Sequence, residues 1–403
     1  MSLRIALAVA AAALGGCASQ TFIDDVNFLD RHTEILRLQP DRTSNAEIVV
    51  CPRLQGRVMT STAAGPGGLS YGWINRNLIA SGEMRPHINA YGGEDRFWLG
   101  PEGGQFSIFF AKGDPQDLAH WQTPAAVDSE SFDVARRGLD SCLLRKRMKL
   151  TNASGALFEL ELQREIRCLG PKDPGRMLGI EPTSYVRWVG YQSRNKITNT
   201  GDREWKQVTG LLSAWILGMY NPSPGTTVVL PFKQGPEDQL GPVVNDAYFG
   251  KVPADRLKIG PGVLFFKGDG LRRGKIGLSP RRSLGVLGSY DAENETLTIV
   301  QFHQPKGELA YVNSMWELQK DPYSGDAANS YNDGPASPEA APLGPFYELE
   351  SSSPALALKP GIAYTHVHTT FHFQGPLDEL DAIASRVLGV GLTHITEAFA
   401  GTK

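Results

Sequence analysis

Two segments near the C-terminus, Phe346-Tyr347-Glu348-Leu349-Glu350-Ser351-Ser352-Ser353-Pro354 and Thr365-His366-Val367-His368-Thr369-Thr370-Phe371-His372-Phe373, flank a Leu358-Lys359-Pro360-Gly361 turn. Both alternate, and alternation sends every second side chain to the same face of a strand. Glu348 and Glu350 therefore share a face, as do His366, His368 and His372, three of the chain's eight histidines. Carboxylates and imidazoles gathered on a sheet are the usual materials of acid–base catalysis. Two carboxylates on one face divide into acid and base when their surroundings separate their pKa values.

A metal is the other reading of the histidines. At a strand rise of about 3.3 Å per residue, His366 and His368 sit roughly 7 Å apart and can share zinc, while His372 lies about 13 Å beyond His368. One ion cannot take all three, and no second cluster supplies the further ligands that a tetrahedral site needs. The expected roles are hydrogen bonding to a sugar or carboxylate, or proton donation near neutral pH. No metal and no cofactor are expected.

Residues 91–104 hold five glycines, at 92, 93, 100, 103 and 104, and read as a tight, backbone-exposing loop. It is no phosphate cradle, because the Lys-Ser/Thr ending and strand–helix context are missing. Arg96, Trp98 and Glu102 suit a saccharide wall: aromatic faces stack on pyranose rings, and planar charged groups take paired hydroxyls. His87 and Asn89 join that wall from upstream, whereas Glu94 and Asp95 read better as a structural ion-pair network. Trp215, Trp316 and Glu317 fall on expected strands, where a buried tryptophan is the default and one facing a cleft is the functional alternative. Residues 321–343 form a long loop rich in Pro, Gly, Asn and Asp, within which 323–334 is a lid or a polar turn.

The elements that must position these groups are mostly strands. Expected strands are 46–51, 56–60, 69–75, 106–110, 185–198, 208–219, Thr226–Pro231, 262–267, 283–290, 296–301, 311–318, 346–351 and 364–373. The clearest hairpin joins 141–152 to 157–169 through Ala153-Ser154-Gly155. A register in which paired numbers sum to 308 sets Lys149 against Glu159 and Arg147 against Glu161, with Leu150–Phe158 and Met148–Leu160 on the core face. Cys142 and Cys168 are then diagonal and too far apart for a disulfide, so buried free thiols are expected there. Helices are expected only around 22–38 and 377–388. With 44 glycines and 27 prolines, the composition agrees with many turns and short strands. A formal charge of −3, from 40 basic and 43 acidic residues without a basic block, gives nucleic-acid binding no electrostatic support.

The chain opens Met1-Ser2-Leu3-Arg4, runs apolar from Ile5 to Leu14, and continues Leu14-Gly15-Gly16-Cys17. This pattern is a bacterial lipoprotein signal; a membrane span needs about 20 apolar residues. The expectation is that residues 1–16 are lost and that Cys17 is lipidated. Ala18 leans toward sorting to the outer membrane, with the protein on its periplasmic or cell-surface side. A lipid-anchored tether with an N-terminal helix (17–45) then leads to a single β domain (46–403).

The run Asn89-Ala90-Tyr91-Gly92-Gly93-Glu94-Asp95-Arg96-Phe97-Trp98-Leu99-Gly100-Pro101-Glu102-Gly103-Gly104 resembles the signature of an uncharacterised bacterial family, many of them lipoproteins, placed near the galactose mutarotase-like sugar-processing proteins. Ala214-Trp215-Ile216-Leu217-Gly218-Met219-Tyr220, Lys275-Ile276-Gly277-Leu278-Ser279-Pro280 and the 348–372 segment resemble it too, so that the similarity spans roughly residues 45–390. The resemblance implies a mainly β fold, an antiparallel β-supersandwich with a few peripheral helices. Aldose epimerases of that superfamily use a glutamate base in a Leu-Glu-x-x context before a Leu-x-Pro-Gly turn. Leu349-Glu350 before Leu358-Lys359-Pro360-Gly361 is similar, which gives Glu350 that role. Their acid is a histidine on a mid-chain strand after an Asn-Thr turn. Here the stretch after Thr198-Asn199-Thr200-Gly201 offers Trp215 and no histidine, and the acid falls to His366 or His368.

The expected function is a carbohydrate-active lipoprotein that binds a sugar or oligosaccharide. It would process that ligand by glutamate/histidine acid–base chemistry, as an isomerase, lyase or glycoside hydrolase. Substrate contacts are expected from His87, Asn89, Arg96, Trp98, Glu102, Trp215, Trp316, Glu348 and His372. The alternative is a non-catalytic glycan-binding or structural envelope lipoprotein.

Overall fold

The computed structural model describes residues 21–307, 309–335 and 340–400. The leader and Cys17 lie outside the described residues. The fold is mainly β, with three antiparallel sheets. The largest has ten strands, in the order Leu257–Gly260, Val263–Lys267, Thr226–Pro231, Val286–Asp291, Thr296–Phe302, Ala363–Gln374, Arg187–Asn199, Leu157–Cys168, Ser141–Thr151 and Asp133–Arg137. A five-stranded sheet runs Gly274–Leu278, Ala328–Asn332, Tyr347–Ser352, Ser213–Tyr220 and Arg96–Gly100. Leu36–Leu38, Glu47–Cys51 and Arg57–Thr62 make the third.

Burial alternates with the two-residue period along the 141–168 hairpin, whereas the strands of the five-stranded sheet are buried on both faces. The inner faces of the ten- and five-stranded sheets meet in two apolar zones. In one, Phe97, Leu99 and Ile216 join Leu144, Leu160 and Ile197; in the other, Leu349, Ile276 and Leu278 join Leu230, Leu264 and Val300. The back of the large sheet carries Val229, Ile299, Phe371 and Phe373, and Leu377–Leu388 and Leu392–Glu397 lie over it through Leu380, Ile383, Leu388 and Ile395. The hairpin has the expected register: Lys149 faces Glu159 and Arg147 faces Glu161. Cys142 and Cys168 are buried free thiols, as is Cys51.

Several elements depart from the sequence reading. The first helix stops at His32, and Leu36–Leu38 turns into a strand against Ile48–Val50. Phe22, Val26 and Leu29 of that helix are packed on Val49 and Met59, so the described part of the expected tether belongs to the body of the fold. The expected glycine-rich loop contains the strand Arg96–Gly100, and the expected lid contains Ala328–Asn332. By contrast, 69–75, 106–110 and 311–318 form no strand; Leu69, Gly72, Ile74 and Tyr311 make isolated bridges only. A strand exists where a neighbour offers a ladder, and propensity alone does not reveal that neighbour.

The histidine strand, Ala363–Gln374, occupies the middle of the large sheet. His366 and His368 point inward and are fully buried. The Ser351 hydroxyl links them, 2.8 Å from His366 Nε2 and 2.8 Å from His368 Nδ1. Desolvation pulls His366 down to about 3, helped by His368 and His303. Desolvation likewise pulls His368 down to about 4, with Asp95 opposing. Both are therefore neutral in the fold, whereas in the unfolded chain they bind protons below about 6.5. Because the unfolded state binds more protons in that window, stability present above pH 6.5 is lost as pH falls toward 4 and 3. The double variant H366Q/H368Q is expected to flatten this slope by up to about 1.4 kcal/mol per pH unit for each histidine. Urea denaturation at pH 7, 5 and 4 measures it.

Candidate functional site

The same alternation that turns Ser351 inward turns Glu348 and Glu350 to the other, still covered, side of the five-stranded sheet. Antiparallel register extends each into a row. Lys275, Tyr331, Glu348 and Met219 are cross-strand neighbours. Gly277, Asn329, Glu350, Leu217 and Arg96 form the next row, and Trp215 pairs with Trp98 in the third.

Glu350 is fully buried at the centre. Its Oε2 accepts from the Trp215 indole at 2.9 Å and lies 3.0 Å from the Lys275 ammonium. Lys275 Nζ also sits 4.6 Å from the Trp215 ring centre. Arg96 donates through Nη2 to Glu348 Oε1 at 2.9 Å, and its guanidinium lies 4.3 Å over Trp98. Glu102 arrives just beyond the end of the Arg96–Gly100 strand. There a Cβ on Gly103 would stand 2.2 Å from the Met315 carbonyl oxygen. Only glycine permits that approach, which brings Glu102 beside Trp316.

Above these rows opens a cleft of about 300 Å³. Trp98, Trp121, Trp215 and Trp316 wall it: Trp98 meets Trp215 edge-on at 5.6 Å, and Trp121 stacks on Trp316 at 5.5 Å. Phe249, Tyr331, Arg273 and Asp333 also line it, with Phe249 edge-on to Trp316 at 6.2 Å.

Burial dominates the electrostatics. It pushes the Glu348 carboxyl well above the usual range, against the pull of Arg96 and with help from Glu350. It raises Glu102 too, against Lys275 and with help from Glu350. Asp333 is raised by burial to about 6, although Tyr331 and the Gly344 amide donate to it. Asp326 is raised to about 6 for the same reason, against hydrogen bonds from Tyr248 at 2.8 Å and Asn245 at 3.1 Å. Raising a carboxyl in this way moves it toward the range required of a general acid. Among the described residues, no group of three or more His, Cys, Asp or Glu side chains is arranged to hold a metal ion.

Of the residues singled out in the sequence, Glu348, Glu102, Arg96, Trp98, Trp215, Trp316 and His87 line this cleft, and Glu350 lies under it. His366 and His368 do not join them. They stand on the inner side of the sheet, so the expected glutamate–histidine couple is not formed: Ser351 takes the histidines while Glu350 faces the other way. Asn89 is buried in a structural role, its amide donating to Asp128 at 2.8 Å. His372 lies in a separate polar cavity of about 260 Å³, bonded to Glu94 and Thr298 at 2.9 Å each and stacked on Tyr71. Glu94 and Asp95 are buried as expected of structural groups, Asp95 paired with Arg164 at 2.5 Å. Sequence reasoning missed Lys275, Arg273 and Trp121 as members of the site, whereas Asp326 and Asp333 fell within the 323–334 segment read as a lid or a polar turn. Lys275 was within view, in the Lys275-Ile276-Gly277-Leu278 alternation, but its partner lies 75 residues away and no local signal links the two.

The chain belongs to a family of unknown function, DUF6786, whose model matches residues 20–399. No curated protein matches it by sequence. Among solved structures it is similar to the Slr1438 protein of Synechocystis sp., at 14% identity over 85% of this chain and 96% of that one, with a TM-score of 0.49. It is similar to a galactose mutarotase-like protein from Lactobacillus casei, at 10% identity over 84% and 100%, with a TM-score of 0.46. A galactose mutarotase related enzyme from Lactobacillus acidophilus matches at 9% identity over 85% and 97%, with a TM-score of 0.44.

The buried pair makes a direct prediction. K275M leaves Glu350 enclosed without its cation and is expected to cost about 3–5 kcal/mol. K275M/E350Q, which is neutral and still offers an oxygen to Trp215, is expected to recover most of that loss. Chemical denaturation of the two variants beside wild type measures both.

Proposed function

We propose that the chain binds a saccharide in the tryptophan-walled cleft and that the carboxyls at its base perform acid–base chemistry on it. One observation carries this reading: Glu102 and Glu348, both pushed up by burial, face the same cleft as four tryptophans. Aromatic faces supply flat apolar platforms, and a few convergent polar groups fix orientation, which is how such sites hold small molecules. Glu102 and Glu348 are the groups placed to hold and release a proton there. Glu350, enclosed and bound by Lys275 and Trp215, is a positioning residue that keeps the ammonium and the indole in place. Isomerisation, elimination and glycoside hydrolysis can each be run by such a carboxyl pair; the stereochemistry and the leaving group belong to the substrate.

The test is a glycan array with the full chain, followed by incubation of each bound glycan and product analysis. For a glycan that is turned over, E102Q and E348Q are expected to lower the rate about 10²–10⁴-fold with affinity within a few-fold of wild type. W98A and W121A are expected to weaken binding at least tenfold, about 1.4 kcal/mol. Glycans that bind without turnover would leave a binding protein and remove the catalytic half of the proposal. Failure of every glycan to bind would remove both.

We further propose from the leader that the chain is a bacterial lipoprotein anchored through Cys17 to the outer membrane. Labelled palmitate is expected to enter the wild-type chain in cells and to be lost with C17S, which moves the protein from the membrane to the soluble fraction.

A further inference from the structure

The cleft holds more hydrogen-bond donors than its own acceptors use. Arg96, 2% exposed, gives one N–H to Glu348 and leaves Nε and Nη1 without an acceptor among the described residues. The indole nitrogens of Trp98 and Trp121 are buried and equally without one. In the same cleft, the Arg273 guanidinium lies 3.7 Å over the Phe249 ring. The ion pairs of the cleft belong to Arg96 and Lys275, and Arg273 makes none among the described residues. Asp333, the carboxyl beside it, is satisfied by the Tyr331 hydroxyl at 2.9 Å and the Gly344 amide at 2.9 Å. Two guanidinium planes, each backed by an aromatic face, thus line one cleft with N–H groups to spare. An aromatic backing holds a guanidinium in place before a ligand arrives, and its fork matches a two-oxygen anion.

We infer that the saccharide taken by this cleft is acidic and carries a carboxylate, as a uronic acid does, with that carboxylate placed on Arg273 and Arg96. The inference rests on the saccharide reading above. A carboxylate is favoured over a phosphate by the company it keeps. Asp333, raised only to about 6 and so mostly ionised at neutral pH, lines the same cleft. A phosphate monoester brings about −1.5 to −2 charge there, where a carboxylate brings a single charge, and like charges repel more strongly when partly buried.

Isothermal titration of the full chain tests this with four ligand types at matched length: galacturonate and glucuronate oligomers, their methyl esters, the neutral galactose and glucose oligomers, and those neutral oligomers carrying a 6-phosphate. A uronate is expected to bind at least tenfold more tightly than its own ester and than the neutral sugar, with phosphates weaker than the uronate. R273Q is expected to erase the difference between acid and ester while ester affinity stays within a few-fold, and R273K, which keeps the charge without the fork, to fall between. Equal affinity for acid and ester in wild type would overturn the inference and leave the saccharide reading standing. Tighter binding of the phosphates would overturn the carboxylate assignment. Binding of none of the four by a protein that denatures cooperatively would overturn both readings.

Discussion

The alternation of side chains along Tyr347–Ser352 divides this molecule in two. Tyr347, Leu349 and Ser351 turn toward the large sheet; Glu348 and Glu350 turn away from it. A shift of one residue in the pairing of this strand would bury both carboxylates among Leu349's neighbours and expose the apolar set, so the register is held by the strands on both sides. Ala328–Asn332 and Ser213–Tyr220 supply that restraint. The core and the cleft are therefore two faces of one constraint.

Two polar systems follow from it, and they do not mix. On the inner side, Ser351 bridges two neutral histidines whose charge the apolar surroundings suppress. On the outer side, carboxyls, cations and indoles interleave: Lys275 over Trp215, Arg96 over Trp98, Arg273 over Phe249. Buried charge of this kind is retained at a cost, since well-packed apolar residues often serve stability as well or better. Its concentration on one side of one sheet, beside an open volume, is what marks that side as functional.

Close backbone approach is the second recurring device. Gly103 lets the chain after Arg96–Gly100 run against Met315, and a Cβ on Gly277 would stand 2.2 Å from Asp326 Oδ2. At the first a missing side chain lets Glu102 reach the cleft, and at the second it makes room for Asp326 against the strand. Glycines that read as loop-forming in the sequence thus shape the walls of the site within and beside strands.

Local pattern determined much of this. Period-two alternation identified most strands, the charge pairs of the 141–168 hairpin set its register, and the shared face of Glu348 and Glu350 was legible from spacing alone. Residue chemistry also marked Arg96, Trp98, Glu102 and Trp215, which do line or underlie one cleft. What stayed hidden was which face of the sandwich each strand would present to which partner. Two strands adjacent in sequence, the glutamate strand and the histidine strand, belong to different sheets; the shared face expected of them became two opposite environments separated by a sheet. The polar Ala328–Asn332 has no strand signature and is a strand because both neighbours offer ladders. Lys275 became the partner of Glu350, and Arg273 and Trp121 joined the cleft, only through contacts far apart in sequence. Spacing is a property of the chain, whereas sheet order and burial belong to the packed whole, and it is burial that raises the carboxyls and silences the histidines.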